Sequence, residues 1–194
     1  MLKDSATTWG SMSRAMHWLF VVIIAVQIPL GFWMVDLIDE NVGSQVDDPW
    51  IMLSANAHHT IGFLVLLLAF WRINWRLNNP TPDLPQNFAT YERYLARITQ
   101  GFLYFMMFFY PITGWAILST SPDGLPVMFF GWEIPRLVSA RSEGTTFASD
   151  LFSELHIACW KVGGALLLLH VSGAIWHQFV RKDDVLMRMW RGHN

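Results

Sequence analysis

The chain is almost free of cysteine. Its 194 residues include one, Cys159. A single thiol excludes a disulfide framework, an iron–sulfur cluster held by four thiolates and a Cys-x-x-Cys-His cofactor attachment. The sequence also lacks a glycine-rich phosphate loop, an internal repeat and a low-complexity tract. Nucleotide chemistry therefore finds no support in it.

Charged residues are also scarce. They make up 14% of the chain, against roughly 25% in soluble domains, whereas 53% of the residues are hydrophobic. Four apolar stretches approach the roughly 20 residues that cross a bilayer. We predict an all-α fold, a four-helix transmembrane bundle that forms one membrane-integral domain over 1–194. The predicted helices span about 14–35, 51–76, 91–118 and 152–181.

The charges between these stretches predict an orientation. The connection 36–49 holds five acidic residues and no Lys or Arg, whereas the connection 72–100 holds four arginines. The tail from 181 onwards holds four further basic residues. Basic loops stay in the cytoplasm, so both termini are expected to be cytoplasmic. The first stretch has no small-residue cleavage site before Asp36, so we expect it to be a retained anchor.

Two of the three histidines in the fourth apolar stretch are spaced by almost four helical turns. His156 and His170 lie 14 positions apart, which puts both imidazoles on nearly the same helix face. A rise of about 1.5 Å per residue separates them by about 21 Å, one near each side of a hydrocarbon core roughly 30 Å thick. Ionisable side chains are costly in a bilayer and usually mark function there. We expect two noncovalently bound haems, stacked across the membrane.

Depth in the membrane pairs the histidines. A low-spin haem takes two axial imidazoles from facing helices at similar depth. His58 and His156 lie near the outer ends of their stretches and are the predicted outer pair. His17 and His170 are the predicted inner pair. His177 is almost two turns beyond His170 on the same face, so the residues alone leave the inner ligand open between these two.

Other polar residues of these stretches are weaker candidates. His59 points about 100° away from His58 and is not predicted to be a ligand. Arg14 shares a helix face with His17 and is a candidate partner for a haem propionate, although a basic flank at the inner helix end explains it equally well. Lys161, inside the fourth stretch, is a candidate contact for a propionate or for an anionic substrate near the outer haem.

Taken together, these residues resemble the bacterial cytochrome b561 family of four-helix di-haem membrane proteins. The resemblance covers nearly the whole chain, and the 14-residue histidine spacing is its specific element. His58 followed by Gly62 resembles the ligand motif of the family's second helix, which selects His58 over His59. Further matching segments are Arg14 with His17-Trp18, Pro80-Thr81-Pro82, Phe130-Gly131 with Pro135, Lys182-Asp183 and Leu186-Met187-Arg188-Met189.

The resemblance implies a multi-pass protein of the bacterial inner membrane with two haem b groups. It implies axial ligands at His17, His58, His156 and His170, and leaves His177 as a non-ligand that contacts quinone. It also implies an oxidoreductase that passes electrons between an outer-face donor, superoxide, and ubiquinone or another quinone. The third-helix position where the family often has a histidine is Gln100 here, which is not predicted to be a ligand.

Two alternative functions remain open on the sequence. The first is a quinone-linked cytochrome b subunit of a periplasmic dehydrogenase or hydrogenase, which a docking surface on the outer connection would favour. The second is a non-redox membrane module whose histidines bind metal or carry protons, which a visible spectrum would separate. The expected partners are membrane lipid, quinone and either superoxide or a periplasmic redox protein, with no nucleic acid.

Overall fold

Four long helices dominate the computed structural model, which describes residues 1–42, 48–120, 126–137 and 147–192. Each has 29 to 31 residues and is therefore about 45 Å long, enough to cross the hydrocarbon core and both polar layers. The predicted all-α, four-helix transmembrane bundle is confirmed. The helices are α1, Ser11–Glu40; α2, Pro49–Leu77; α3, Thr90–Thr120; and α4, Phe147–Trp176.

These helices are longer than the apolar stretches that predicted them. α1 continues to Glu40, five residues past its predicted end, and α4 begins at Phe147, five before its predicted start. Hydropathy marks only the turns that lie in hydrocarbon, whereas backbone hydrogen bonding continues into the polar layers. Pro29 lies inside α1 and Pro111 inside α3, which transmembrane bundles accommodate.

Three short elements were not predicted. β1, Met128–Phe129, pairs antiparallel with β2, Trp132–Glu133. α4 is followed by a π-helical turn, His177–Arg181, and then by α5, Val185–Arg191. Strands of two residues and a helix of seven are too short to leave a periodic signal in the sequence.

The packing divides the chain into two compact units, and each unit takes a part of all four long helices. His17 and His170 belong to the first unit, and His58 and His156 to the second. The first unit comprises Met1–Leu19, Leu68–Met107 and Cys159–Asn194; the second comprises Phe20–Leu67 and Phe108–Ala158.

In the first unit, hydrogen bonds fix both ends of the chain onto the helices. The Asp4 carboxylate accepts hydrogen bonds from the Gly10 backbone N–H and the Ser13 hydroxyl, both at 2.6 Å, and so caps the start of α1. The indole N–H of Trp18 donates to the carbonyl of Met189 at 3.1 Å. The N-terminal segment and α5 therefore hold α1 from two sides.

In the second unit, the β-hairpin packs on α2 and α3. The ring of Phe63 contacts those of Trp115 and Phe129, with centroids 5.1 Å and 6.1 Å apart. The indole N–H of Trp115 donates to the carbonyl of Pro135 at 3.1 Å. These contacts fix the segment after α3 onto α3 itself and onto α2, the helix that carries His58.

Candidate functional site

His17 of α1 and His170 of α4 face each other in the first unit. Their ring centroids are 6.2 Å apart and their planes are inclined at 62°. A metal–imidazole bond is about 2.0 Å and the ring centre lies about 1.1 Å behind the nitrogen, so two imidazoles that share one metal have centroids about 6.2 Å apart. The spacing of the two rings therefore fits a single iron between them.

A cavity adjoins this histidine pair, and its walls suit a haem. Aromatic and cationic side chains lie around it, which is what a flat apolar macrocycle with two carboxylates requires. Gln100 is also in the wall. Besides the two histidines and Gln100, the lining includes Trp9, Arg72, Trp75, Arg76 and Tyr104.

The two cavity arginines are four positions apart on α2 and therefore share a face. The Arg72 guanidinium donates to the Tyr104 hydroxyl at 3.4 Å and interacts electrostatically with the two histidines of the pair. The Arg76 guanidinium lies 5.6 Å from the ring centre of Trp9. Its Nη1 is buried and has no hydrogen-bond partner within the described residues. A propionate would supply that partner.

Arg14 is placed differently from its predicted role. Its guanidinium donates to the carbonyl of Trp190 at 2.8 Å and packs against Gly192, so it caps the end of α5. It does not belong to the cavity lining, where Arg72 and Arg76 lie instead. The Arg14 Nε is buried and has no hydrogen-bond partner within the described residues, and a propionate contact at Arg14 stays a prediction.

In the second unit, the ring of His58 lies directly against the backbone of α1. A Cβ atom added at Gly31 would lie 2.9 Å from the His58 Cε1, well inside the 3.5–4.0 Å optimum for carbon contacts. The amide of Gln27 donates to the His58 carbonyl at 3.0 Å. The His58 Nδ1 is buried and has no hydrogen-bond partner within the described ranges. Only glycine leaves space for this ring.

Hydrogen bonds fix the tautomer of His156. The Thr113 hydroxyl donates its one proton to the carbonyl of Tyr110 at 2.8 Å, and its oxygen lies 2.9 Å from the His156 Nδ1. That oxygen must therefore accept a hydrogen bond from Nδ1–H. The Nε2 keeps its lone pair, as an iron ligand must. Thr113 is 2% exposed, so water does not compete for this bond.

Comparison with known proteins agrees with this geometry. A family model described as prokaryotic cytochrome b561 matches residues 8–192. The chain belongs to this family. The protein is thus a membrane cytochrome with b-type haem that transfers electrons, and a multi-pass protein of the bacterial inner membrane. The four histidines predicted as ligands lie on helices that are long and apolar enough to span a membrane.

Individual relatives cover nearly the whole cytochrome. Cytochrome b561 homolog 2 of Escherichia coli (strain K12) is 31% identical over 182 residues, which are 93% of this chain and 90% of the relative. Cytochrome b561 homolog 1 of the same organism is 24% identical, over 90% of this chain and 92% of the relative. Probable superoxide oxidase CybB of Yersinia pestis is also 24% identical, over 93% of this chain and 94% of the relative.

Three further candidate site residues belong to neither of the two histidine pairs. Lys161 is exposed on α4 and forms no hydrogen bond or ion pair within the part of the chain that the structure describes. His59 meets His58 edge to face, with centroids 6.3 Å apart. The His177 Nδ1 lies 2.6 Å from the Asp183 Oδ2, and His177 has no contact with His17 among the ring contacts of the described residues.

The sequence reasoning missed several residues of these sites. Arg72 and Arg76 were counted in the sequence only as basic residues that keep a loop in the cytoplasm. Gly31 was not predicted to be a site residue. Nothing in the sequence indicated that Thr113 or Asp183 would bond to a histidine, since both contacts join residues on separate elements.

If His156 ligates a haem, its hydrogen bond to Thr113 should tune the potential of that haem. An acceptor at Nδ1–H makes the imidazole a stronger donor and stabilises the oxidised iron. We expect Thr113→Val to raise that haem's midpoint potential by roughly 20–60 mV, about 0.5–1.4 kcal/mol for one electron. A redox titration monitored by visible absorption measures the shift.

Two control variants accompany this titration. Thr113→Ser should restore the midpoint potential, and Thr99→Val, at another buried threonine of α3, should not change it. Equal potentials in Thr113→Val and the unmodified protein would contradict the assignment.

Proposed function

We propose that this cytochrome holds two haem b groups, one between His17 and His170 and one between His58 and His156. It carries electrons from superoxide on the outer face to a membrane quinone. The single observation that carries the haem assignment is the 6.2 Å centroid spacing of His17 and His170. Gly31 against His58 and the Thr113 bond to His156 support the second pair.

The reaction balances without a further reactant. Two superoxide anions each lose one electron and become dioxygen, and one quinone takes up two electrons and two protons and becomes quinol. The haems supply reversible one-electron storage between these half-reactions. The chain's own part is to ligate the iron, exclude water, attract the anion and deliver protons.

The relatives and the loop charges support the donor and the orientation. The similarity to a probable superoxide oxidase extends over 93% of this chain. The acidic connection after α1 and the basic connection after α2 favour cytoplasmic termini. Asp47 and Arg141, which contribute to the charges of the outer connections, lie outside the described residues.

We propose that superoxide is attracted by the outer-side cations Lys161, Arg136 and Arg141. Lys161 lies on α4, 14 positions after the first residue of that helix, and has no anionic partner within the described chain. A cationic side chain raises the encounter rate of an anion, and added salt screens this effect over a Debye length of about 8–10 Å. The negative charge of the acidic connection 36–49 repels superoxide and so opposes this attraction.

Stopped-flow spectroscopy tests the proposal. Oxidised protein with both haems, in lipid nanodiscs, is mixed with potassium superoxide and then with ubiquinone. We expect haem reduction followed by reoxidation.

Lys161→Gln should slow haem reduction by superoxide about threefold to tenfold. Added salt should slow haem reduction by superoxide in the unmodified protein. The rate of haem reduction by a neutral donor should change in neither case. Lys182→Gln, the same change at another exposed lysine, is the control. If superoxide fails to reduce haems that dithionite reduces, the superoxide assignment is wrong.

One observation favours a second candidate, the quinone-linked subunit of a periplasmic dehydrogenase or hydrogenase. The tip of the β-hairpin exposes Phe130 and Trp132, at 68% and 77%. A partner protein could dock there, as large exposed apolar groups mark contact surfaces. Membership of a cytochrome family disfavours the third candidate, a non-redox metal or proton module.

A further inference from the structure

The chain leaves the α-helical path directly after α4. The π-helical turn runs from His177 to Arg181, and Lys182 then adopts the left-handed conformation, with φ 56° and ψ 42°. The backbone N–H groups of Lys182 and Asp183 both donate to the carbonyl of His177. The backbone therefore folds back around His177.

This turn brings together two side chains that a regular helix would separate. Positions 177 and 183 would be about 120° apart around an α-helix. Here the His177 Nδ1 lies 2.6 Å from the Asp183 Oδ2. Lys182 and Asp184, on either side of Asp183, both have positive φ, which costs a non-glycine residue free energy. Such strain and π-turns concentrate at functional positions.

The pair is enclosed, and its second face is aromatic. The side chains of His177 and Asp183 are 14% and 2% exposed. Phe88 stacks on the imidazole, with centroids 4.3 Å apart and planes inclined at 13°. The Asp183 Oδ1 is buried and has no hydrogen-bond partner within the described residues. A buried carboxylate is stable only beside a cation or a donor, and His177 is the donor present.

Neighbouring charges do not compete for this carboxylate. Arg181, on the same turn, donates to the carbonyl of Asn87 at 2.8 Å and lies 3.5 Å from the Glu92 carboxylate. Asp183 has no ion-pair partner but His177 in the described chain. The hydrogen-bond partner of the Asp183 carboxylate is therefore the His177 imidazole.

We propose that Asp183 is a positioning residue for proton transfer to quinone. This inference rests on the proposed function, electron transfer to a membrane quinone, and on the quinone contact at His177 that the resemblance to the family implies. Asp183 accepts the hydrogen bond from Nδ1–H and stabilises the imidazolium, so Nε2 is the atom that exchanges a proton with the ligand. His177 is the donor and Asp183 holds it in the correct tautomer and charge state.

The proton and electron balance is complete. The N–H bond at Nε2 breaks, an O–H bond forms on a quinone carbonyl oxygen, and one electron arrives from a reduced haem. Water on the adjacent aqueous side returns the proton to Nε2. A second electron and proton follow by the same route and complete the quinol. Oxidation of the two haems supplies both electrons.

The test is Asp183→Asn in the haem-loaded protein, with pre-reduced haems mixed against ubiquinone. An asparagine amide can donate to Nδ1, which moves the ring proton to Nε2 and removes the charge that stabilises the imidazolium. We expect the maximal rate of haem oxidation to fall at least about tenfold. The half-saturating quinone concentration, the haem content and both midpoint potentials should change little. Asp184→Asn is the matched control, since it makes the same change one residue later.

A double-mutant cycle separates positioning from a general structural effect. His177→Ala should slow quinone reduction as much as Asp183→Asn does, and the double variant should be no slower than His177→Ala alone. Additive losses, or an unchanged rate in Asp183→Asn, would overturn the proposal for Asp183. If the unmodified protein does not pass electrons to quinone at all, the proposed function fails instead.

A measurement on the unmodified protein covers the case in which a variant loses its fold. Histidine labelled with ¹⁵N reports by NMR which ring nitrogens carry protons, and the His177 signal is the one absent from His177→Gln. We expect a protonated Nδ1. A His177 whose only ring proton is on Nε2 would overturn the proposal.

Discussion

Replacing His170 with alanine should lower the haem content from about two per polypeptide to about one. The loss of one of two axial imidazoles removes one of the two iron–protein bonds that anchor a noncovalently bound haem. His17→Ala should remove the same haem, and His58→Ala or His156→Ala the other. The pyridine haemochrome assay per polypeptide measures these losses.

Double variants test the pairing and not only the ligand set. His17→Ala with His170→Ala removes both ligands of one haem, so about one haem should remain. His17→Ala with His58→Ala removes one ligand from each pair, so almost none should remain. His59→Ala and His177→Ala are the controls and should keep about two. A loss of haem in His177→Ala together with its retention in His170→Ala would reverse the assignment that depth alone left open.

The sequence predicted the membrane helices well because one physical quantity defines them. Every backbone polar group in hydrocarbon must be bonded within its own helix, so an apolar run of sufficient length leaves one structure available. The connections obey no such constraint. The β-hairpin and α5 depend on contacts such as Phe63 with Phe129 and Trp18 with Met189, which join segments far apart in sequence.

Histidine positions were predictable for a related reason. The spacing of His156 and His170 is a property of one helix, and helix periodicity places both on one face without tertiary information. The opposite ligand of each haem is harder to predict, since the prediction requires the depth at which a residue of a second helix lies in the membrane. Depth could not separate His170 from His177 as the partner of His17, and the structure places the ring centroids of His17 and His170 6.2 Å apart.

The supporting residues of the sites could not be predicted from any pattern. Thr113 acts because its own proton goes to Tyr110, which leaves its oxygen as an acceptor for His156. Asp183 meets His177 only because a π-turn and a left-handed residue shift the register. Both depend on local geometry that composition and spacing do not encode.

Gly31 should be as necessary for the second haem as its ligands are. The His58 ring occupies the space where a side chain at position 31 would begin, with Cε1 2.9 Å from an added Cβ. The ring cannot turn aside without also moving the nitrogen that binds iron. We expect Gly31→Ala to weaken ligation at His58 and Gly31→Leu to lower the haem content from about two to about one.

The size series and its control isolate the steric cause. Haem content, midpoint potentials and thermal unfolding are measured for Gly31→Ala, Gly31→Leu and Gly101→Ala. A Cβ at Gly101 meets nothing within 4 Å, so that variant should keep both haems and should unfold at about the same temperature as the unmodified protein. The loss should affect the haem that His58→Ala removes and leave the other haem's potential unchanged, because His17 and His170 belong to the other unit. Retention of both haems with unaltered potentials in Gly31→Leu would show that His58 does not need this contact to bind iron.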